Sequence, residues 1–301
     1  MQDTGDGPRV SIIMASLNAE QYLRSTIDTV MAQTLERWEI VLMDGGSTDR
    51  TIALAESYGD PRIRITQQPD DGVPHAWDRG VDAARGDFVL FLCVSDGFID
   101  ATYLSQCVEV MDADPEVSLV WATPAMCDED GQNLQPYGVH PSTVERYQKQ
   151  RWILLWLASC QDFPDFNLCV RRPVIRSCMT PYRTGTGLMD KMQEFLFNFN
   201  TRGFLPYGLT YPVAYSRRHE GQLGYADARS ANHTWAVRDY MRRARRYRQE
   251  LQRGTATHTF RDGRGQPIGS LLQVQDIPDG STFDIRTVEG GRLATTSGPS
   301  D

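Results

Sequence analysis

Two acids in this chain stand just past β-branched runs. Asp44 closes the run Trp38 to Met43, and Asp96 follows the run Phe88 to Leu92 by four positions. Open α/β sheets bind ligands beyond the carboxyl ends of their strands, so carboxylates delivered there by separate strands define a candidate polar site. A second pair, Asp190 and Glu194, is spaced i, i+4 and shares one face of a helical stretch. His219 offers an imidazole that can ligate a metal or donate a hydrogen bond. Arg79 and Arg217 offer forked donors for phosphate or carboxylate. Each has a plainer reading beside it. Asp44-Gly45-Gly46-Ser47 alone is a turn followed by a helix cap, a single Asp after a strand is a turn residue, and one histidine in a loop is solvated.

The elements that would position these groups alternate between two hydrophobic periods. Val10 to Ala15, Trp38 to Met43, Ile63 to Ile65, Phe88 to Leu92 and Val117 to Trp121 read as strands. Between them, Leu23, Ile27, Val30 and Met31 fall on one helical face, with Asn18 and Gln21 in capping-box places. Ser47-Thr48-Asp49 opens a helix through about Tyr58, and helical patterns cover His75 to Ala84 and Tyr103 to Met111. Strand–helix alternation of this kind predicts a mostly parallel sheet flanked by helices. From about 123 to 225 the pattern is less regular, with helices at Trp152 to Leu157 and Asp190 to Phe199. Trp152 to Leu157 suits an acceptor groove or a membrane contact, but residues at this spacing are more often core. Residues 235–253 form a basic amphipathic helix. Leu272, Val274, Phe283 and Ile285 around Pro278-Asp279-Gly280 predict a β-hairpin, and the last residues a frayed tail.

The formal charge of the 301 residues is 31 − 39 = −8, which argues against a nucleic-acid binder, since that function needs a positive phosphate-facing surface. Residues 238–253 reverse the sign locally, with seven Arg against Asp239 and Glu250, or +5. Only two of the 31 basic residues are lysines, so the other 29 are arginines. The six cysteines match neither a zinc motif nor a CxxC pair. The start, MQDTGDGPRV, has no apolar leader region, so a cytoplasmic location is expected. No run approaches the ~18 apolar residues that span a bilayer; the basic helix 237–251 could lie on the inner face of a membrane, but the preferred reading packs its apolar stripe on the catalytic domain with its arginines in water.

Four segments resemble the family 2 glycosyltransferases, an inverting group with a GT-A fold that builds bacterial surface polysaccharides. They are Val10-Ser-Ile-Ile-Met-Ala-Ser-Leu-Asn18, Glu39-Ile-Val-Leu-Met-Asp-Gly-Gly-Ser-Thr-Asp49, Gln68-Pro-Asp-Asp-Gly-Val-Pro-His-Ala-Trp-Asp-Arg-Gly80 and Ala84-Arg-Gly-Asp-Phe-Val-Leu-Phe-Leu-Cys-Val-Ser-Asp96. Their order and spacing make the signal specific over the first ~120 residues and weaker to about 225. The resemblance implies a GT-A catalytic domain at 1–225, with a nucleotide-sugar half at 1–120 and an acceptor half at 121–225. A helix at 226–253 and a β extension with a frayed tail at 254–301 follow it.

Residue by residue, the resemblance implies that Ala15, Ser16 and Asn18 lie beside the nucleotide. Asp44 would accept a hydrogen bond from the base, and Asp70 and Arg79 would run along the nucleoside and diphosphate. Ser95-Asp96 holds the place of the family's acidic metal motif. Asp96 would bind Mn²⁺ or Mg²⁺, while Ser95 replaces the first acid beside the sugar and diphosphate. His219, in Tyr215-Ser-Arg-Arg-His-Glu-Gly221, would add a metal contact and Arg217 a diphosphate contact. The general base would be Asp190 or Glu194, and Asp190 is preferred because it opens its helix after Thr184-Gly-Thr-Gly187. The implied activity is metal-assisted transfer of a hexosyl or N-acetylhexosaminyl group from a nucleotide sugar, a UDP-sugar first. The acceptor would be a glycan or a lipid-linked saccharide. The alternatives are a catalytically degenerate sugar-nucleotide or glycan-binding partner protein and, less favoured, a sugar nucleotidyltransferase.

Overall fold

The computed structural model describes residues 7–69, 71–159, 167–181, 188–219, 231–270, 286–289 and 292–295. Its main sheet places nine strands in the order β3-β2-β1-β4-β8-β6-β9-β5, with β7 beside β6. Their ranges are β1 Val10–Ser16, β2 Trp38–Asp44, β3 Ile63–Gln67, β4 Phe88–Phe91, β5 Gly97–Phe98, β6 Val117–Cys127, β7 Gln135–Pro136, β8 Cys169–Arg171 and β9 Leu205–Arg217. β1 is parallel to β2 and β4, β2 to β3, and β6 to β9. The short β8 runs antiparallel to both β4 and β6. Opposing both, it leaves β4 and β6 pointing the same way, so the carboxyl ends of β1, β2, β4, β6 and β9 share one edge.

The helices are α1 Glu20–Met31, α2 Thr51–Glu56, α3 Val73–Ala83, α4 Tyr103–Ala113, α5 Pro141–Arg146, α6 Trp152–Ser159, α7 Arg172–Cys178, α8 Leu188–Thr201 and α9 Ala231–Gln252. β1 shows why both faces of the sheet are covered. Ile13 packs in one hydrophobic cluster, and Val10, Ile12 and Met14 pack in the other, the period-two alternation of a strand buried on both sides. Burying side chains of this size contributes about 1.5–3 kcal/mol each.

Three sequence expectations are corrected or resolved. Asn18 does not cap α1: the residue before that helix is Ala19, with no side-chain cap, and Asn18 bonds elsewhere. Strand β6 runs past Trp121 to Cys127. Trp152, Ile153, Leu155, Trp156 and Leu157 are all buried in the core, with Trp152 Nε1 donating to Asn200 Oδ1 at 3.0 Å and Trp156 Nε1 to the Tyr240 hydroxyl at 2.6 Å.

The apolar stripe of α9 is likewise committed to the protein. Tyr240, Ala244 and Leu251 are buried in the cluster that holds α6 and α8. Beyond α9, Thr259–Arg261 pairs antiparallel with Pro267–Ser270, and Arg286–Glu289 with Arg292–Thr295. The hairpin expected around Pro278-Asp279-Gly280, and the tail past Thr295, lie outside the described residues.

Candidate active site at the strand-end edge

The loops leaving β1 and β2 are joined to each other. Asn18 sits at φ +49; its Oδ1 accepts the Thr48 N–H at 2.9 Å, and its own N–H donates to Ser47 Oγ at 2.8 Å. The helices that follow cap one another. Asp49 accepts the Glu20 N–H at 3.0 Å, and Glu20 accepts the Arg50 N–H at 2.9 Å. Each helix N-terminus thus receives a carboxylate, the charge its dipole favours.

Asp44 is fully buried at the end of β2. Its Oδ1 accepts the Gly46 and Ser47 amides at 3.0 and 2.8 Å, and its Oδ2 accepts the Ser16 and Ser47 hydroxyls at 2.9 and 2.5 Å. A carboxylate offers about four acceptor positions, and protein donors occupy that number here. Ala15 and the buried Ser16 end β1 beside it. Arg79 lies on α3, exposed and with no hydrogen bond or ion pair to a described residue. Asp70 lies outside the described residues.

The second group is the turn after β4. Ser95 adopts φ +112, a value costly for any residue with a Cβ. The turn is held from both sides: the Ser95 N–H donates to Thr26 Oγ1 at 3.1 Å, and its carbonyl accepts Arg217 Nε at 3.0 Å. Thr26 Oγ1 donates in turn to the Asp96 carbonyl at 2.8 Å. The Asp96 carboxylate, 4% exposed, accepts the Arg217 N–H at 3.1 Å through Oδ1. β5 then approaches β9 so closely that a Cβ on Gly97 would lie 2.6 Å from the Tyr215 hydroxyl.

Arg217, the last residue of β9, spends its guanidinium on the loops around it. Besides Ser95, it donates to the Glu129 carbonyl at 2.8 Å and the Tyr215 hydroxyl at 3.4 Å. Its Cζ lies 5.4 Å from the Tyr22 ring centroid and 5.6 Å from that of Tyr215, within cation–π range. The His219 ring stacks at 4.6 Å on Tyr22, whose hydroxyl donates to Glu129 Oε1 at 3.0 Å. Burial pulls the His219 imidazole below its ordinary pKa, with Glu129 opposing and Arg217 reinforcing the shift. Neutral imidazole is the form that ligates metals.

Tyr22, Thr26, Tyr215 and Glu129 are site residues that sequence reasoning missed. Glu129 carries a usable signal: it is an acid two residues past the end of β6, much as Asp96 is an acid five residues past the end of β4. It stayed hidden because Pro124 discouraged reading that strand beyond Trp121.

Further along the chain, Asp190 lies in the first turn of α8. Glu194, half-buried one turn on, accepts a hydrogen bond from Thr180 Oγ1. Between them Lys191, 1% exposed, pairs with Asp78 Oδ1 of α3 at 2.5 Å and donates to the Thr180 carbonyl at 2.9 Å. One buried lysine therefore ties α8 to the helix that carries Arg79.

Among the described residues no three His, Cys, Asp or Glu side chains converge as a metal cage. Asp96 and His219 lie past the ends of β4 and β9. Cations that act on phosphates commonly use one or two carboxylates, with substrate oxygens and water completing the shell, a mode that needs no three-residue cage.

Comparison with known proteins agrees with the geometry. The sequence model of glycosyl transferase family 2 matches residues 11–177, more than half of the chain. EpsH of Bacillus subtilis, named as a glycosyltransferase, is 27% identical over 200 residues, or 65% of this chain and 56% of that protein. The PGL/p-HBAD biosynthesis glycosyltransferase of Mycobacterium bovis is 38% identical over 102 residues, 33% of this chain and 40% of that protein. The chain thus spans about half the length of these relatives. Among solved structures, TarS of S. aureus superposes with a TM-score of 0.54 at 16% identity, covering 69% of this chain and 60% of that one. TarS has also been solved with UDP-GlcNAc, with a TM-score of 0.53. The mannosyltransferase PcManGT of Pyrobaculum calidifontis, in complex with GDP-Man and Mn²⁺, gives 0.55 at 16% identity over 78% of this chain and 64% of that one. With its mixed sheet, its strand-end site and its match over residues 11–177, this chain has the GT-A fold and belongs to glycosyl transferase family 2.

Proposed function

We propose that the chain is an inverting glycosyltransferase that moves a sugar from a nucleoside-diphosphate sugar, a UDP-sugar first, to a hydroxyl of a glycan or lipid-linked acceptor. The observation that carries this reading is the single network joining the ends of β4 and β9, in which Arg217 holds Ser95 and Asp96 at the strand-end edge. Solved relatives of the same fold hold UDP-GlcNAc, or GDP-Man with Mn²⁺.

In this reading the β1 and β2 loops form the wall of the nucleotide pocket. Ala15, Ser16 and Asn18 face the nucleoside, and Asp44 keeps that wall in shape through its four donors. Arg79, and Asp70 beyond the described residues, serve the nucleoside and diphosphate. Ser95 and Arg217 border the sugar and diphosphate. Asp96 and His219 would hold Mn²⁺ or Mg²⁺, which supplies positive charge to the departing diphosphate. The acceptor oxygen forms its bond to the sugar C1 as the C1–O bond to the diphosphate breaks, and the hydroxyl proton passes to a carboxylate base. Asp190 is the better base, because the Glu194 carboxylate already receives Thr180. The proposed location is the cytoplasm, where unbridged thiols such as Cys107 persist.

The test is incubation of the purified chain with UDP-, GDP- and dTDP-sugars and Mn²⁺ or Mg²⁺. Absence of both binding and hydrolysis would refute the proposal. Asp96→Ala should abolish transfer with the fold intact, and retained activity would remove the metal role. Ser95 in place of an acid favours one rival, a partner protein that binds donor without turnover. Donor binding with no transfer to a broad acceptor panel would select it.

A further inference from the structure

The arginines of α9 form a face that the catalytic reading leaves unused. At 100° per residue, Trp235, Arg238, Arg242, Arg245 and Arg246 fall on one side of the helix and Arg253 continues the line past its end. The buried Tyr240, Ala244 and Leu251 occupy the opposite side. All six residues of the stripe are exposed, Trp235 by 64%. Arg242 pairs with Asp239, and Arg246 with Glu250 at 2.9 Å, but exposed pairs of this kind are weak. Arg238, Arg245 and Arg253 have no ion pair among the described residues. The helix therefore does not offer its apolar stripe to a lipid, as a free amphipathic helix would; it offers cations and one indole.

The geometry points to an anionic lipid surface as the partner of this face. Two features favour lipid over a nucleic acid. The exposed Trp235 stands at one end of the cationic stripe, and Trp is the side chain that settles at the headgroup level of a bilayer. The rest of the chain is strongly acidic, summing to −13 outside residues 238–253, so only a narrow linear face can meet a negative surface.

The orientation has a consequence. Tyr240 packs on Phe197 and the Tyr247 hydroxyl reaches the Thr201 carbonyl, so α9 runs in the same direction as α8. Trp235 thus lies toward the α8 start.

The experiment is sedimentation of the full chain with vesicles of phosphatidylcholine alone and of phosphatidylcholine mixed with phosphatidylglycerol, at low and high salt. Binding is expected only to the anionic vesicles, and salt should weaken it. At about 1 kcal/mol per arginine near such a surface, each removal costs roughly fivefold. The triple variant Arg238→Gln, Arg242→Gln, Arg245→Gln should lose roughly a hundredfold. The other five tryptophans, Trp38, Trp77, Trp121, Trp152 and Trp156, are at most 5% exposed, so a blue shift of tryptophan emission on adding anionic vesicles reports Trp235 and should vanish in Trp235→Phe. No binding, equal binding to both vesicles, or unchanged binding of the folded triple variant would overturn the proposal. So would binding to single-stranded DNA with none to vesicles.

Discussion

Asp44→Asn separates two roles for the acid that the sequence makes most conspicuous. A carboxylate reserved for a nucleobase would keep an acceptor position open to the ligand, yet Asp44 gives Oδ1 to two backbone amides and Oδ2 to two hydroxyls. In the Asn variant the amide nitrogen takes the Oδ2 place, because the hydroxyls of Ser16 and Ser47 can rotate to accept while the Gly46 and Ser47 amides cannot. The two amide bonds survive on a neutral oxygen. Hydrogen bonds to charged groups are worth about 1.5–3 kcal/mol and neutral ones about 1, so the variant should lose roughly 1–2 kcal/mol of unfolding free energy. Asp44→Ala removes the acceptor altogether and should lose roughly 3 kcal/mol, moderated by water reaching the exposed Gly46. Urea unfolding measures both, and titration calorimetry with UDP measures the ligand side. An organising Asp44 predicts that Asp44→Asn weakens UDP by less than about tenfold, since the pocket wall keeps its shape. A loss well beyond tenfold, with stability unchanged, would show that the carboxylate meets the base directly and refute this assignment.

Two further outcomes concern the frame around the site. Burial holds His258 down at a pKa of about 4 against an ordinary 6.5, so the unfolded chain takes up a proton before the folded one does. Its stabilisation is complete above pH 6.5 and is lost as the pH falls from 6.5 toward 4, by at most 1.36 × 2.5, or about 3 kcal/mol. The difference in unfolding free energy between the parent and His258→Gln should narrow over that range, and parallel pH profiles would contradict the assignment. Gly203, at φ +79, admits no side chain: a Cβ there would lie 2.0 Å from the Thr259 carbonyl oxygen, and the Gly203 carbonyl accepts the Arg261 N–H at 2.8 Å. Gly203→Ala should therefore cost roughly 3 kcal/mol or more by forcing Thr259–Arg261 away, whereas an unchanged melting temperature would show that this segment contributes little.

The first 120 residues were readable because their signals are local. The run from Val10 to Ala15 is rich in Val and Ile and apolar on both faces, and an acid stands at or past the ends of the second and fourth runs, Asp44 and Asp96, so residue type alone pointed to the edge. The region after residue 121 hides its strands. β9 carries Pro206, Gly208 and Pro212, and its pairing with β6 shifts register between Ala122 and Pro124. Residues that break a strand pattern are accommodated by bulges, and periodicity cannot show them. The three-residue β8 has no period to read. Asn18 failed as a cap for another reason. Its side chain has two competing sets of partners, and the choice of Thr48 over its own helix depends on the β2 loop lying alongside. Types and spacing pointed to Asp44 and Asp96 at the edge, while their partners followed from loops distant in sequence.

That distance also explains how the edge can hold a strained turn. Ser95 keeps φ +112 because its amide is fixed from α1 by Thr26 and its carbonyl from β9 by Arg217. Neither partner belongs to the turn itself. A strained conformation of about 1–3 kcal/mol persists only where the surroundings over-determine it, and two charge- or hydroxyl-based bonds of about 1 kcal/mol or more each are the right size to do so. The same Arg217 donates through its backbone to Asp96. Movement of β9 would therefore release the Ser95 turn and the Asp96 carboxylate together, so the carboxylate's position is set by the packing of β6 against β9. Lys191 does the corresponding work across α3 and α8, from a position 1% exposed where an unpaired ammonium would be costly. Both halves of the site are thus positioned by cations whose partners lie in the opposite part of the chain, and a chain that folded only its first hundred residues would have the acids in sequence but not the edge in space.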